Sequence, residues 1–549
     1  MTDWIQHLVV VPIILPLIAG AVMMIIDERR RALKAAIGIV SILGMIATAT
    51  ILMVLASLPP HGTVFVPTGV YRIGNWPAPF GIVLVADRLS ALMLLLTGLL
   101  ALAVAVFALA RWHRAGSYFH ALLQFLLMGL NGAFLTGDLF NLFVFFELLL
   151  VASYGLVLHG SGVTRVKAGL HYIVVNLVAS LLFLIGVSLI YGVTGTLNMA
   201  DLAHRIPLIP AGDRMLFESG AAVLGMAFLI KAGMWPLSFW LPTAYAAAAP
   251  PVAAIFAIMS KVGLYVVLRL SLLLFGAGSG ALAHWGHDWL LFGGMATITF
   301  GAIGVLASQD MRRLAGFSVL VSSGTVLAAV GIGGTGVIGG ALFYLVSSTL
   351  AIAAFYLLIE LAERGRQPGA DVLAVTIEAF GRDGEEEPDE AEEGIVVPAV
   401  MAMLGISFLA CALLLSGSPP LSGFIAKFIL LSALLKSPGS ATAAVVPGLS
   451  WTFLILVIVS GLMTLIGMIR AGMRVFWTPL ERTQPRVRVI EMVPVLFLLL
   501  GCAILTVQAG AVMHYMEMAA RSLYAPQDYI RGVLTSSAGQ QPPYERGRP

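Results

Sequence analysis

Long apolar runs follow one another along nearly the whole of this 549-residue chain, parted by short polar connections. A helix needs about 20 apolar residues to cross the hydrocarbon core of a bilayer. About fourteen stretches reach that span, at 6–26, 34–57, 79–110, 118–136, 139–158, 166–190, 219–245, 248–272, 288–307, 314–333, 337–362, 396–436, 449–469 and 490–515. The pattern predicts an all-α integral membrane protein, one polytopic domain over 1–549. No basic region precedes the first run and no small-residue cleavage site follows it, so it reads as a retained helix.

Composition narrows the class without changing it. Hydrophobic residues make up 59% of the chain and charged residues 11%, whereas soluble globules carry about 25% charge. The two cysteines, Cys411 and Cys502, fall inside apolar runs without metal-ligand or disulfide spacing, so no cofactor is expected. Nor is a nucleic-acid partner; the expected surroundings are lipid.

Charge in the connections sets the expected orientation, because cytoplasmic loops are enriched in Lys and Arg. If DERRRALK, after the first helix, is cytoplasmic, that side receives 18 of the 31 Lys and Arg residues. The count requires 396–436 to be a single crossing, broken at SGSPPLSG, and it places both termini outside. One cytoplasmic connection, 363–395, carries eleven acidic residues against Arg364, Arg366 and Arg382, and such density of like charge predicts a solvated, disordered strand. The polar, proline-containing tail 525–549 is expected to be disordered as well.

Four charges lie where hydrocarbon tolerates them least: Glu147, Lys231, Lys261 and Lys427. Charged side chains at bilayer depth cost several kcal/mol and commonly face a protein-lined interior where they handle protons or ions. Two of the lysines stand beside interruptions, KAGMWPLSFWLP in 219–245 and GSPPLSGFIAKF in 396–436. Paired broken helices of opposite direction point to a transport pathway between two inverted repeats, here of about five helices each. A Glu147–Lys231 pair is then either a switching gate or a static lock between two helices, and both readings fit the sequence.

Weaker candidates surround these four. Asp87 and Arg88 are neighbours, either a local pair or a gate; Asp138 is a helix N-cap with Asn141 on the first turn, and a possible cation-entry residue. His159 and His171 flank a cytoplasmic connection and would feed protons inward or simply be solvated. GIGGTG at 331–336 has dinucleotide-motif spacing but joins two membrane helices, which excludes a nucleotide site.

The runs LFNLFVFFELLLVASYGLVLHG, FLIKAGMWPLSFWLPTAYAAAAPPVAAIFAIMSKVGLYVVLR, RRLAGFSVLVSSG and GSPPLSGFIAKF resemble the proton-conducting subunits shared by respiratory NADH:quinone oxidoreductase and multisubunit cation/proton antiporters. The resemblance covers roughly 80–520, with an antiporter-like core at about 118–478. TGDLFNLFVFFE and the acidic connection make the chain most similar to the D-type subunits of Mrp/Pha antiporters. The resemblance implies a proton pathway through Glu147, Lys231, Lys261 and Lys427, co-assembly with other membrane subunits, and exchange of potassium or sodium for protons in a bacterial inner membrane. Its alternative is a proton-pumping subunit of NADH:quinone oxidoreductase or of a membrane-bound hydrogenase; an anchoring subunit gains nothing from four buried charges. Relatives often carry a histidine where this chain reads Val321, Ser322, Ser323, Gly324, and Tyr344, Ser347, Ser348 and Thr349 stand in the next helix. Any relay there must run through water held by hydroxyls, which do not titrate near neutral pH. No dense carboxylate cluster marks a hard-cation site, so the cation's identity and route stay open.

Overall fold

The structure is a computed structural model describing residues 4–58, 69–364, 399–436, 447–476 and 487–535. The acidic connection from 365 onward and the last residues of the tail lie outside the described residues. The chain is helical in the order α1 (Val11–Ile25), α2 (Arg31–Ser57), α3 (Arg88–Ala110), α4 (Phe119–Leu135), α5 (Leu139–Val157), α6 (Val163–Thr194), α7 (Arg214–Ala232), α8 (Trp240–Ala247) and α9 (Pro250–Leu274). It continues through α10 (His287–Ala307), α11 (Met311–Ile332), α12 (Thr335–Glu363), α13 (Ala399–Ser416), α14 (Ser422–Lys436), α15 (Pro447–Phe476), α16 (Val489–Val507), α17 (Ala509–Tyr524) and α18 (Gln527–Thr535). Among the described residues, 12 helices are long and apolar enough to cross a membrane, and α1 and α4 are shorter apolar helices.

Which helices are central follows from their composition. α9, α11 and α12 have no face left to lipid: they are buried over 100%, 94% and 100% of their most apolar window. By contrast α6 exposes Val174, Leu177, Leu181 and Ile185, and α15 exposes Ile455, Ile458, Leu462 and Ile469. An apolar rim around a buried core is the arrangement a lipid solvent selects. Close approach inside the core depends on small residues: a Cβ on Gly263 of α9 would sit 2.8 Å from both Ala232 N and Phe228 O of α7.

Two expectations are corrected. The run beginning at 79 is not helical throughout, because Gly69–Arg72 (β1) and Val83–Ala86 (β2) form an antiparallel hairpin and α3 starts only at Arg88. The boundary has a local cause: Asp87 accepts from Ser90 N at 2.8 Å, and Ser90 Oγ accepts in return from Asp87 N, a capping box that fixes the helix start. Nor is the tail disordered from 525, because Gln527–Thr535 is helical with Tyr529 and Val533 buried.

The two faces of the bundle differ. One is tied by Arg111–Glu360, Arg312–Glu363 and Arg364–Glu491 ion pairs. The other carries both ends of the described chain: His7 packs on Tyr71 of β1, Tyr515 of α17 donates to Arg88 O at 2.8 Å, and the Tyr529 ring lies over Arg269. Ala433 of α14 meets Gly336 at the start of α12, on this second face. Cysteines added at the two termini are therefore expected to react with an impermeant thiol reagent from the same side of the membrane. Labelling from opposite sides would contradict the described packing.

Candidate functional site

Each interruption in the helices frees backbone groups, and side chains take them up. Between α7 and α8, Trp240 Nε1 donates to Ile230 O at 3.2 Å and Trp235 N donates to Thr297 Oγ1 at 2.9 Å. Between α13 and α14, the freed acceptor is Ser416 O, and Lys427 Nζ donates to it at 2.8 Å. That carbonyl is at the C-terminal end of a half-helix, where the partial negative charge of the helix dipole collects. Gly417 turns the chain there with φ +73°, and Gly461 of α15 leaves the lysine its space: a Cβ on Gly461 would lie 2.6 Å from Ser416 O and 2.9 Å from Lys427 Nζ.

Lys231 is in a different situation. It occupies the last turn of α7, is 6% exposed, and its Nζ makes no hydrogen bond. What it has is the face of Phe146, with the nitrogen 4.9 Å from the ring centroid. Glu147, the next residue on α5, is half-buried and accepts a short hydrogen bond from Ser180 Oγ of α6. The two groups sit in adjacent contacts without forming a hydrogen-bonded ion pair. A cation–π contact is worth up to about 2 kcal/mol, less than the several kcal/mol needed to strip an ammonium of water. Lys231 as placed is therefore an incompletely compensated charge, and its ring contact Phe146 is followed on α5 by the half-buried carboxylate of Glu147.

Lys261, on the centre of α9, is fully buried and better served. Its Nζ donates to Ser322 Oγ at 2.8 Å and to Ser323 Oγ at 3.4 Å. Ser322 shares a bond of 2.8 Å with Ser348 of α12, and Ser347 shares another of 2.8 Å with Ser422, the first residue of α14. Between these pairs is a cavity of about 10 Å³, room for roughly one water, lined by Ser318, Ser322, Tyr344, Ser347, Ser348 and Thr464. Hydroxyls and that space connect Lys261 to the second broken helix.

The remaining candidates fall outside this line. Asp87 does not pair with Arg88; both its oxygens accept from Arg269 Nη2, at 2.9 and 2.8 Å, across 182 residues of sequence. Asp138 accepts from Asn141 N at 2.9 Å, the N-cap role read from the sequence. His159 is buried with Nε2 2.8 Å from Trp112 O, and burial lowers its pKa below the ordinary imidazole value. His171 is exposed, and Gly333 and Gly334 make a turn between α11 and α12 with no strand before it. Tyr265 and Arg269 were missed by sequence reasoning; the available signal was their spacing of four and eight residues from Lys261 on one helix.

Comparison with known proteins agrees with this geometry. The profile of the family described as NADH:quinone oxidoreductase/Mrp antiporter, TM, matches residues 136–454. A relative from Rhizobium meliloti (strain 1021), named as the D-type subunit of a probable K(+)/H(+) antiporter, is 61% identical over 98% of this chain and 100% of its own length. One from Bacillus subtilis (strain 168), named as the D-type subunit of a Na(+)/H(+) antiporter, is 31% identical over 96% of this chain and 99% of its own. Among solved structures, a chain of the Mrp complex from Dietzia sp. DQ12-45-1b superposes with a TM-score of 0.79 at 26% identity, covering 97% of this chain and 100% of that one.

The Lys427 pocket makes a direct prediction. Gly461→Ala forces Ser416 O or Lys427 Nζ aside and is expected to cost about 1–3 kcal/mol. Thermal unfolding in detergent should show a lowered midpoint. Gly448→Ala in the same helix, where a Cβ meets nothing within 4 Å, should leave it unchanged.

Proposed function

The chain belongs to the NADH:quinone oxidoreductase/Mrp antiporter transmembrane family, and we propose that it is the proton-translocating, D-type subunit of a multisubunit cation/proton antiporter. It is a transporter subunit, not an enzyme, that takes up protons in exchange for exported cation and so supports pH homeostasis and tolerance of alkali and salt. Potassium is the favoured cation because the relative 61% identical is named for K(+)/H(+) exchange. The observation that carries the reading is the line of buried ammonium groups, Lys231, Lys261 and Lys427, with hydroxyls and a water-sized cavity between the last two.

The chemistry follows from what each group lacks. Glu147 held by Ser180 leaves Lys231 without a counter-ion in contact; Glu147 swung toward Lys231 supplies one. Unit charges 4 Å apart interact by about 4 kcal/mol at an effective dielectric of 20, so where Glu147 stands decides how well the Lys231 charge is compensated. The released proton passes to Lys261 on α9, the helix that crosses α7 closely at Gly263. Hydroxyls then conduct without titrating, and Lys427 receives the proton at the half-helix end. Loop charge supports an orientation with both termini external to a bacterial inner membrane, so Lys34, Arg111, Arg165 and Arg312 mark the cytoplasmic face.

Substitutions at the gate separate movement from scaffolding. In everted vesicles holding the assembled complex, Glu147→Gln and Lys231→Met are each expected to abolish cation-dependent proton exchange, with assembly retained. The double change decides between the readings, since removing both members of a static pair is often tolerated. An assembled but inactive double variant is expected; normal exchange would make the pair structural. Expressed without other subunits in cells lacking their own antiporters, the chain is expected to confer no salt resistance, and exchange by the purified single chain would refute the multisubunit reading.

A further inference from the structure

α9 is buried along its whole length, yet it carries three polar side chains on one face: Lys261, Tyr265 and Arg269. At 1.5 Å per residue the stripe climbs roughly 12 Å from mid-helix toward the face that carries the termini. Tyr265 is the middle step, donating from its hydroxyl to Phe134 O at 2.6 Å and accepting from Arg269 Nε at 2.9 Å. Arg269 ends the stripe on Asp87, whose Oδ1 also accepts from Ser90 N at 2.8 Å and Ser90 Oγ at 2.9 Å. The guanidinium and Ser90 thus hold the carboxylate in place while the pair is closed.

What lies over that pair is the end of the chain. α18 places the Tyr529 ring 5.5 Å from the Arg269 guanidinium, and the Tyr529 hydroxyl is buried without a hydrogen-bond partner. A Cβ on Gly137 would sit 3.2 Å from that hydroxyl, so it points at the turn just before Asp138. α18 is nine residues long, follows a short turn at Ala525 and Pro526, and has Tyr529 and Val533 as its fully covered side chains. This nine-residue helix thus covers the Asp87–Arg269 pair, with Tyr529, Ile530, Val533 and Leu534 turned to the core.

Resting on the proton-transport reading above, we propose that the Asp87–Arg269 pair is a gate between Lys261 and the terminus-bearing face, with α18 as its latch. When α18 lifts and water enters, the pair opens. Asp87 takes a proton from the solvent at that face, forming an O–H bond; that bond then breaks as the proton passes along water beside the Tyr265 hydroxyl and forms an N–H bond on the neutral Lys261 amine. Arg269 stays charged throughout, because guanidinium does not deprotonate in proteins. Its role is to hold Asp87 when closed and to bar free cations from the stripe. Asp138 and Tyr515, the other ionisable groups beside the pair with Arg88, complete the mouth.

The test uses the assembled complex in vesicles. Tyr529→Ala uncovers the pair and is expected to raise cation-independent proton leak at least threefold over the unmodified complex, while Tyr529→Phe, which keeps the ring, should not. In parallel, Val533→Cys reports latch opening: N-ethylmaleimide, which crosses membranes, should label it faster during cation-driven exchange than at rest. An unchanged leak in an assembled Tyr529→Ala complex, or labelling of Val533→Cys at one rate in both conditions, overturns the gate. If Tyr529→Ala fails to assemble, the labelling rate alone decides. The transport reading fails separately, by absence of exchange in the unmodified complex.

Discussion

An ammonium group inside a helical bundle must find oxygen, and Lys231, Lys261 and Lys427 find it to different degrees. Lys427 has a helix-end carbonyl, Lys261 has two serine hydroxyls, and Lys231 has only an aromatic face. Desolvation sets the same penalty on all three, so the unequal compensation ranks them. The group with the poorest partners is the one whose charge depends most on what moves near it. The ring it touches, Phe146, immediately precedes a carboxylate, Glu147, that is itself only half-buried.

The rest of the architecture serves that inequality. Broken helices supply the free carbonyls and the room; the Trp240 indole, the Thr297 hydroxyl and Lys427 satisfy the backbone groups that a continuous helix would have consumed. Glycines at 263 and 461 bring neighbouring helices within contact distance of the lysines. The two breaks are alike in kind but not in detail: Lys231 precedes its break and Lys427 follows its own, so the first lysine ends a half-helix while the second reaches back to one.

How much of this was legible in the sequence depended on whether a feature was local or long-range. Helix positions and the four charges were legible because hydrocarbon penalises exceptions so heavily that a lysine in FLIKAGMW or IMSKVGL cannot be incidental. The β-hairpin was not, since VLVA at 83–86 reads as the start of the apolar run that follows it. Adjacency suggested Asp87 with Arg88, whereas the true partner, Arg269, comes from another helix far along the chain. In the tail, a polar composition hid an apolar stripe: Tyr529, Ile530, Val533 and Leu534 recur at helical spacing within a segment whose average is not apolar. The hydroxyls were noticed individually, but only packing revealed which pairs meet.

Those meetings bear on how a proton would cross the middle of the protein without an imidazole. Histidine at this position would be a resting place, able to hold a charge near neutral pH. Ser322, Ser348, Ser347 and Ser422 offer none: they transmit only while water completes the chain, and the space among them holds roughly one. Residence is thereby pushed to the lysines at either end, and the segment between them conducts or stands idle according to its hydration. A relay of that kind ties passage to the packing of α11, α12 and α14, so any shift of the second broken helix that admits or expels a single water alters coupling between the two halves.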